Sequence, residues 1–475
     1  MHASERNSGR PGGYREMVRL AYPLLLSMGT FTIMQFCDRI FLARYSSVSI
    51  QAALPAGILV FTLICFFQAL AGYAGTFVAQ YHGAKDQAGC VRATAQGLWL
   101  ALFSWPLIVA LIPVGFWLMR LSGHAPEVLQ EEFRFFWILM VAGVSVPLAA
   151  AIGGYFTGRG CMLANTLSSV GGCLLNIVLD YLLIFGHGGC PRLGITGAAL
   201  ATSIAGFVPP VVQIVLFLRD PMTRHLGWGA LALDLPLMLR MLRYGAPAGG
   251  HLLVDVGAFA CFVLMTGRLD PLSFAASNIG LSINSVAFMP LLAISIAASI
   301  LVGQYQGRHE HVSAARAGWT ALRLGWVYML LAGLSFVCFP EGYYRLFRSP
   351  DASYSVAQLV EAGKPMMWMM AIWGMFDVVN IVISGALKGA GDTRFILLYM
   401  LVFGWLVWIP GEWVVFHYGL GIQAAWLWLT VYVWCLAVGF WWRWRSGRWQ
   451  RIDLLARELP ALPTRTGTEG LTIAE

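Results

Sequence analysis

Charged residues are scarce in this sequence. Asp, Glu, Lys and Arg make up 11% of the 475 residues, whereas soluble domains carry about 25%. Hydrophobic residues account for 58% of the chain. This composition excludes an ordinary soluble globular protein and predicts a protein that lies in a membrane.

Signatures of several other protein classes are also missing. The nine cysteines are scattered singly, without the spacing of a zinc, disulfide or redox site. No Gly-x-x-x-x-Gly-Lys-Ser/Thr stretch occurs, so ATP is not expected to be the direct energy source. An intramembrane enzyme would need a nucleophile–base pair or a metal cluster, and no His or Cys grouping supplies one. We therefore expect neither an enzyme nor a bound cofactor.

Apolar stretches long enough to cross about 30 Å of hydrocarbon recur along the chain. Twelve are predicted, at 17–42, 54–80, 94–118, 134–157, 164–186, 196–218, 243–266, 276–303, 318–339, 363–386, 396–417 and 424–443. The predicted fold class is an all-α polytopic membrane protein with twelve transmembrane helices.

Basic residues indicate the orientation. If the chain starts in the cytoplasm, most of the 31 Lys and Arg residues fall at cytoplasmic ends and loops. Both termini are then cytoplasmic. The predicted parts are a tail at 1–16, a six-helix bundle at 17–218, a cytoplasmic linker at 219–240, a second six-helix bundle at 241–443 and a tail at 444–475.

The two predicted bundles repeat one another in sequence. Pro23 corresponds to Pro247 at an offset of 224 residues, and Gln80-Tyr81-His82-Gly83 corresponds to Gln304-Tyr305-Gln306-Gly307 at the same offset. Because each bundle holds an even number of helices, the bundles form parallel pseudo-repeats about an axis along the membrane normal. In such transporters the substrate site forms between the repeats. A duplicated scaffold without transport remains an alternative.

Carboxyl groups interrupt the apolar stretches. A charged side chain at the bilayer centre costs about 2.5–3.5 kcal/mol on insertion scales, so such residues usually mark pathways for protons, ions or cationic substrates. The remaining Asp and Glu residues are assigned to loops and tails. The carboxyl groups in question belong to Asp38, Asp180, Asp255, Asp377 and Glu412.

Several segments, in this order and on a twelve-helix repeat, resemble the multidrug and toxic compound extrusion (MATE) family. The resemblance extends from Pro23 to about Ala425. Family members export organic cations and amphipathic compounds in exchange for inward protons or sodium ions, and the resemblance implies that activity here. The matching segments are Pro23 followed by Asp38, Gln80–Gly83, Gly158–Gly160, Asn176–Gly186, Pro191–Thr202 and Gly385–Arg394.

The resemblance implies a proton and substrate site in the first bundle, formed by Asp38, Asn176, Asp180 and Thr202. Asn176 and Asp180 are four residues apart and share one helix face. Two carboxylates at low dielectric repel one another, so one of them is expected to hold a proton near neutral pH. The alternatives are an ion pair of Asp38 with Arg39 or Arg44, and a structural hydrogen bond between Asn176 and Asp180.

The resemblance implies a second, cation-coupling site in the second bundle, formed by Asp255, Asp377 and Asn380. One branch of the family has Glu at the position of Asp255 and ties this pair to sodium or substrate cations. Many members of that branch have Asn where this chain has Asp180. The choice between H⁺ and Na⁺ therefore stays open, with Asp255 and Asp377 as possible Na⁺ ligands. Interhelical hydrogen bonding alone is the alternative.

Two further side chains are candidates of lower rank. Glu412 stands at roughly the repeat-equivalent place of Asp180, but a hydrated position near the outer surface is an alternative. His251 lies one turn before Asp255, where it would relay protons or simply hydrogen-bond a neighbour.

The sequence thus predicts a monomeric, multi-pass inner-membrane antiporter that exports cationic or amphipathic organic molecules. The alternative within transport is a lipid-linked saccharide flippase of a related fold. Flippase cavities are rich in arginine, whereas the charges inside these apolar stretches are mostly acidic. No nucleic-acid partner is expected.

Overall fold

The computed structural model describes residues 11–266, 271–347 and 354–455, and within these ranges all regular structure is helical. Eleven helical segments are long and apolar enough to cross a membrane. A further 32-residue helix, Leu235–Thr266, stands in the corresponding place of the second half. The predicted all-α polytopic fold is confirmed.

The first half contains six principal helices, some of them interrupted. In α6 the interruption lies at Phe207, just before Pro209 and Pro210, which lack the backbone N–H that a continuous helix needs. The helices are α1 (Tyr14–Tyr45), α2 (Ser47–Gly72 and Ala74–Gly83), α3 (Gln87–Ala110, followed by Ile112–Leu121), α4 (Pro126–Val141 and Ser145–Gly158), α5 (Met162–Phe185) and α6 (Ile195–Gly206 and Val208–Arg219).

Two short helices, Pro221–Leu226 and Trp228–Leu231, lead to the second half. There α11 contains a π-helical stretch directly before Pro410, where the wider turn accommodates the ring. The helices are α7 (Leu235–Thr266), α8 (Pro271–Gly307), α9 (His311–Cys338, followed by Pro340–Phe347), α10 (Val356–Ala390), α11 (Thr393–Phe403, Gly404–Trp408 and Ile409–His417) and α12 (Ile422–Arg445, followed by Arg448–Arg451).

One expectation about the acidic residues is wrong. Glu132 lies inside α4, which begins at Pro126 and not near 134, and its side chain is fully buried. The predicted apolar stretch began too late because Glu132 interrupts the run of apolar residues. In the structure His124 Nδ1 lies 2.7 Å from Glu132 Oε1, within hydrogen-bonding distance. The outer parts of both predicted tails fall outside the described residues.

The two halves contact each other through the same helices in both directions. Helix α1 packs against α5 in its own half and against α8 of the other half, while α7 packs against α2. Residues 11–13, the connection at 220–234 and residues 446–455 all lie at one end of the molecule, which we call the linker end. The opposite end is called the far end.

Candidate functional site

The carboxyl groups of Asp38 on α1 and Asp180 on α5 interact with each other electrostatically. Asp180 is fully buried, as is Asn176 one turn before it, whereas Asp38 is half-buried. The structure therefore brings together three of the four residues predicted for the first-half site. We call Asp38 and Asp180 the carboxyl pair.

The carboxyl pair has no compensating donor among the described residues. Both oxygens of Asp180, one oxygen of Asp38 and both polar atoms of the Asn176 amide lack a hydrogen-bond partner. The alternative of a structural Asn176–Asp180 hydrogen bond is therefore not realised, and no ion pair within 4.0 Å joins Asp38 to Arg39 or Arg44 in the described ranges. Burying unpaired carboxylates is costly, so this site can take up a proton or a small cation.

Thr202, the fourth predicted residue, lies on α6, which packs against α5. It is half-buried and is not among the groups that act on either carboxyl. The structure places it on the neighbouring helix without joining it to the carboxyl pair.

The second predicted site lies at the boundary between the halves. Asp255 on α7 interacts electrostatically with Asp377 on α10, and also with Cys65 on α2 and Tyr432 on α12. Asp255 is exposed and Asp377 is half-buried. The two residues named as possible Na⁺ ligands are thus within electrostatic range of one another.

The Asn380 amide ties α10 to α12. Its Nδ2 donates to the backbone oxygen of Val433 at 3.1 Å and approaches Asp377 Oδ1 at 3.5 Å. The interhelical hydrogen bond therefore satisfies the amide nitrogen of Asn380. Its buried Oδ1 has no hydrogen-bond partner among the described residues and is available as an oxygen ligand. No group of three or more His, Cys, Asp or Glu side chains in the described ranges forms a metal cluster.

Lys388 is a further side chain near the second-half site that sequence reasoning missed. It lies within α10, and its ammonium group interacts with the carboxyl group of Asp255. In the sequence Lys388-Gly389 corresponds to Arg159-Gly160 at an offset of 229 residues, which assigns Lys388 to a cytoplasmic loop. The second-half site therefore contains a fixed cation.

Glu412 and His251 are both buried. The two carboxylate oxygens of Glu412 have no hydrogen-bond partner among the described residues, and the same is true of His251 Nδ1. The hydrated position considered for Glu412 is therefore wrong, because its side chain is only 1% exposed.

The repeated Gln-Tyr-x-Gly segments join the halves at the linker end. Gln80 Nε2 donates to the Gly389 oxygen at 3.0 Å, and Gln304 Nε2 donates to the Gly158 oxygen at 2.8 Å. Each glutamine thus binds a backbone oxygen of the opposite half. We call this reciprocal arrangement the glutamine clasp.

Two glycines allow the backbones of the clasp to meet. A Cβ atom on Gly83 would lie 1.9 Å from the Gln304 oxygen, and one on Gly307 would lie 2.0 Å from the Gln80 oxygen. Real Cβ atoms do not approach so closely, so both positions require glycine. The halves are therefore in direct backbone contact at this end.

The start of α1 is fixed to the second half. Tyr305 Oη donates to the Glu16 carboxylate at 2.6 Å and accepts a hydrogen bond from the Gly12 backbone N–H at 2.9 Å. Thr320 Oγ1 donates to the Gly12 oxygen at 3.0 Å. One helix therefore carries Asp38 of the carboxyl pair and also a contact that closes the linker end.

Each half also has an ion pair at the linker end. Arg159 after α4 pairs with Asp220 after α6 at 2.9 Å, and Arg443 of α12 pairs with Asp392 before α11 at 2.6 Å. Burial alone would raise the pKa of Asp220, but the hydrogen bond and charge of Arg159 lower it overall. These pairs bind helices within a half and do not join the halves.

Two parallel six-helix halves, closed at one end and holding buried carboxyl groups, define a polytopic membrane transporter fold. The profile of the MatE family matches residues 23–182 and 247–414. The two matches begin 224 residues apart, which is the offset of the sequence repeat. The chain belongs to the MatE family.

Relatives of similar length support this assignment. A probable multidrug resistance protein NorM from Bradyrhizobium diazoefficiens is 30% identical, over 90% of this chain and 94% of its own length. A multidrug resistance protein NorM from Burkholderia vietnamiensis is 29% identical, over 90% of this chain and 93% of its own.

Solved structures share the fold. An outward-facing multidrug resistance MATE family transporter of the MOP superfamily superposes with a TM-score of 0.81 at 19% identity, covering 95% of this chain and 99% of the other. A eukaryotic MATE transporter superposes with a TM-score of 0.78 at 20% identity, covering 92% and 96%.

Proposed function

We propose that this protein is a secondary active antiporter that exports cationic or amphipathic organic compounds in exchange for inward H⁺ or Na⁺. The observation that carries the proposal is the carboxyl pair, in which Asp180 is fully buried and lacks any compensating donor in the described residues. Such a pair gains stability when a cation arrives. The names of the relatives, which are multidrug resistance proteins, support a drug-like cargo.

Alternating access follows from the contacts at the linker end. The glutamine clasp and the Glu16–Tyr305 contact hold the halves together there. Opening toward that side requires these bonds to break while the halves rotate as units. Because α1 carries both Asp38 and Glu16, cation uptake at the carboxyl pair has a direct mechanical route to this closure.

The proposed location is the inner membrane, with the linker end and both termini in the cytoplasm. Most Lys and Arg residues lie at this end, as the positive-inside rule requires. One cation moving inward releases about 2.3 kcal/mol per 100 mV of membrane potential, which is the energy available for export.

The acidic residues at the boundary between the halves favour cationic cargo. Asp255 and Asp377 attract organic cations, and aromatic side chains such as Tyr432 add cation–π contacts. A flippase for anionic lipid-linked saccharides would instead need a boundary rich in arginine. The charges found here do not favour that alternative.

Efflux of ethidium from proteoliposomes under separately imposed proton and sodium gradients tests the proposal. A proton gradient that drives export supports coupling at the carboxyl pair, and a sodium gradient that does so supports coupling at Asp255 and Asp377. An ethidium efflux rate that changes with neither the proton gradient nor the sodium gradient contradicts the antiport proposal.

A further inference from the structure

Polar side chains form a row on α5 between the carboxyl pair and the linker end. Asn165, Ser169, Cys173, Asn176 and Asp180 follow one another at intervals of three or four residues, so they share one face of the helix. The row extends over about 22 Å at 1.5 Å per residue. Such a face is unusual in a helix whose other residues are mostly apolar.

Side chains of three helices meet where this row approaches the linker end. Ser27 of α1 donates to Ser169 Oγ at 3.1 Å and accepts from Asn165 Nδ2 at 3.4 Å. Gln213 Nε2 of α6 donates to Ser168 Oγ at 2.7 Å and to Asn165 Oδ1 at 3.2 Å. Asn165 stands in the first turn of α5 and is half-buried, so this end of the row is accessible.

The position of Asp180 creates a problem for proton release. Its side chain is fully buried between helices of the first half and does not lie at the boundary between the halves. Rotation of the halves as rigid units opens that boundary but leaves the interior of each half intact. A proton bound at Asp180 therefore needs a route inside the first half.

Unpaired polar atoms mark where such a route holds water. The Asn176 amide and Gln213 Oε1 are buried and have no partner among the described residues. Buried polar atoms in proteins are almost always hydrogen-bonded, to ordered water where protein partners are missing. Water is thus expected at both ends of the row.

We propose that the first half contains an internal proton-release path, which runs from Asp180 past Asn176, Ser169 and Asn165 to Gln213 at the linker end. The inference rests on the proposed proton-coupled export. Along this path the O–H bond of the protonated carboxyl group breaks, the proton moves through hydrogen-bonded water and hydroxyl groups to the cytoplasm, and the carboxylate is regenerated.

The path is interrupted at Cys173 in this conformation. Between Ser169 and Asn176, α5 offers only the Cys173 thiol, which donates to the Thr30 backbone oxygen on α1 at 3.4 Å. Crossing this interval takes about two or three water molecules at ~2.8 Å per hydrogen bond. An interruption is what coupling requires, because a continuous path would leak protons. Helix α1 lies against this interval through Thr30, so movement of α1 would determine whether water molecules can bridge it.

The test uses the full-length protein in proteoliposomes with ethidium as the probe. Ser169→Ala and Gln213→Leu remove a hydroxyl group and an amide from the path. Three quantities are measured for each: the ethidium Kd, ethidium–ethidium exchange without a gradient, and ethidium accumulation driven by a pH gradient. Exchange needs the halves to move but needs no net proton release.

We expect both variants to keep the Kd and the exchange rate of the wild type, while pH-driven accumulation slows by about tenfold, as a barrier raised by ~1.4 kcal/mol predicts. Ser104→Ala is the matched control, because Ser104 lies on α3, away from the row, and donates to a backbone oxygen of its own helix, that of Ala101, as Ser169 does to that of Asn165. It should change none of the three quantities.

Two results would overturn the path. Unchanged pH-driven accumulation in both variants would show that protons leave by another route. A parallel loss of binding, exchange and accumulation would show that the row only holds the helices together. If the pH gradient drives no ethidium accumulation by the wild-type protein, the result is of a different kind. It refutes proton coupling itself, and the proposed path with it.

Discussion

The two halves share a scaffold but place their basic residues differently. Arg159 after α4 pairs with Asp220 at the linker end. Lys388, its counterpart in the repeat, lies within α10 and acts on Asp255. Within the described residues only Asp38 and Cys37 act on Asp180. Asp180 therefore has no fixed cation acting on it, although Arg39 acts on its partner Asp38, whereas Lys388 acts directly on Asp255 of the second-half site.

This difference suggests a division of work between the halves. Asp180 is buried and no fixed cation acts on it, so it must take its positive charge from solution, and we expect the first half to be suited to ion uptake. A site that already holds an ammonium group next to a carboxylate is suited to exchange, because an arriving organic cation competes with Lys388 for Asp255. The same fold thus supports two chemistries.

Removing the first-half charges should have the largest effect. Asp38→Asn and Asp180→Asn should abolish gradient-driven export, because the driving energy of one coupled charge, worth about fifty-fold in accumulation per 100 mV, is lost. Drug resistance in efflux-deficient cells and ethidium accumulation in proteoliposomes measure this. Asp86→Asn, at an N-cap where Asn serves equally well, is the control. Wild-type resistance in both variants would refute the assignment.

Substitution of the clasp glycine should lower the stability of the protein by a similar amount in either half. Gly83→Ala and Gly307→Ala each force a Cβ atom against a backbone oxygen, so each should destabilise the protein by about 1–3 kcal/mol. Thermal unfolding in detergent measures this. Gly57→Ala is the matched control, because its Cβ meets no atom within 4 Å and helix propensity predicts a gain of about 0.5–1 kcal/mol. Equal tolerance at all three positions would contradict the described contact.

Lys388→Gln should increase the affinity of the second-half site for a cationic cargo. Without the ammonium group, Asp255 attracts a cationic cargo more strongly, and ethidium should bind about fivefold more tightly for ~1 kcal/mol of released repulsion. Equilibrium binding measures the change. Lys364→Gln removes an exposed lysine from the same helix and serves as the control. Unchanged affinity would mean that Lys388 does not compete with cargo.

The ion pairs at the linker end should give the smallest effects and should differ between the halves. Asp220 and Arg159 are about one-fifth exposed, so Asp220→Asn should cost about 0.5–1 kcal/mol at pH 7. Because the folded state lowers the pKa of Asp220, this contribution is present above about pH 4 and disappears as the pH falls through the lowered value.

The second-half pair should be stronger. Arg443 binds both oxygens of Asp392, whose side chain is 5% exposed, so Asp392→Asn should cost about 1.5–3 kcal/mol. Thermal midpoints of both variants between pH 3 and pH 7 measure the difference. A larger loss for Asp220→Asn than for Asp392→Asn would contradict this ranking.

Much of the fold and part of the site could be predicted from the sequence. Long apolar runs determine spanning helices, and the 224-residue offset predicted two similar halves. Asp38 and Asp180 were detectable because a carboxyl group stands out against apolar neighbours. Spacing also placed Asn176 and Asp180 on one face of α5.

Other features depend on tertiary contacts that no local pattern records. Glu132 is buried in a helix, where His124 lies within hydrogen-bonding distance of it, and Lys388 joins the second-half site because α7 brings Asp255 near it. The sequence likewise gave no sign that Asn176 leaves Asp180 without a hydrogen bond. Positions near helix ends were the least predictable.

The glutamine clasp also bears on how the chain evolved. Gln80 and Gly83 meet Gln304 and Gly307, their own counterparts, as identical patches do across the two-fold axis of a homodimer. A substitution in one copy is thus felt at once by the other, so the duplicated segments cannot drift apart independently. The repeated Gln-Tyr-x-Gly segments are therefore constrained by each other and not only by the half in which each one lies.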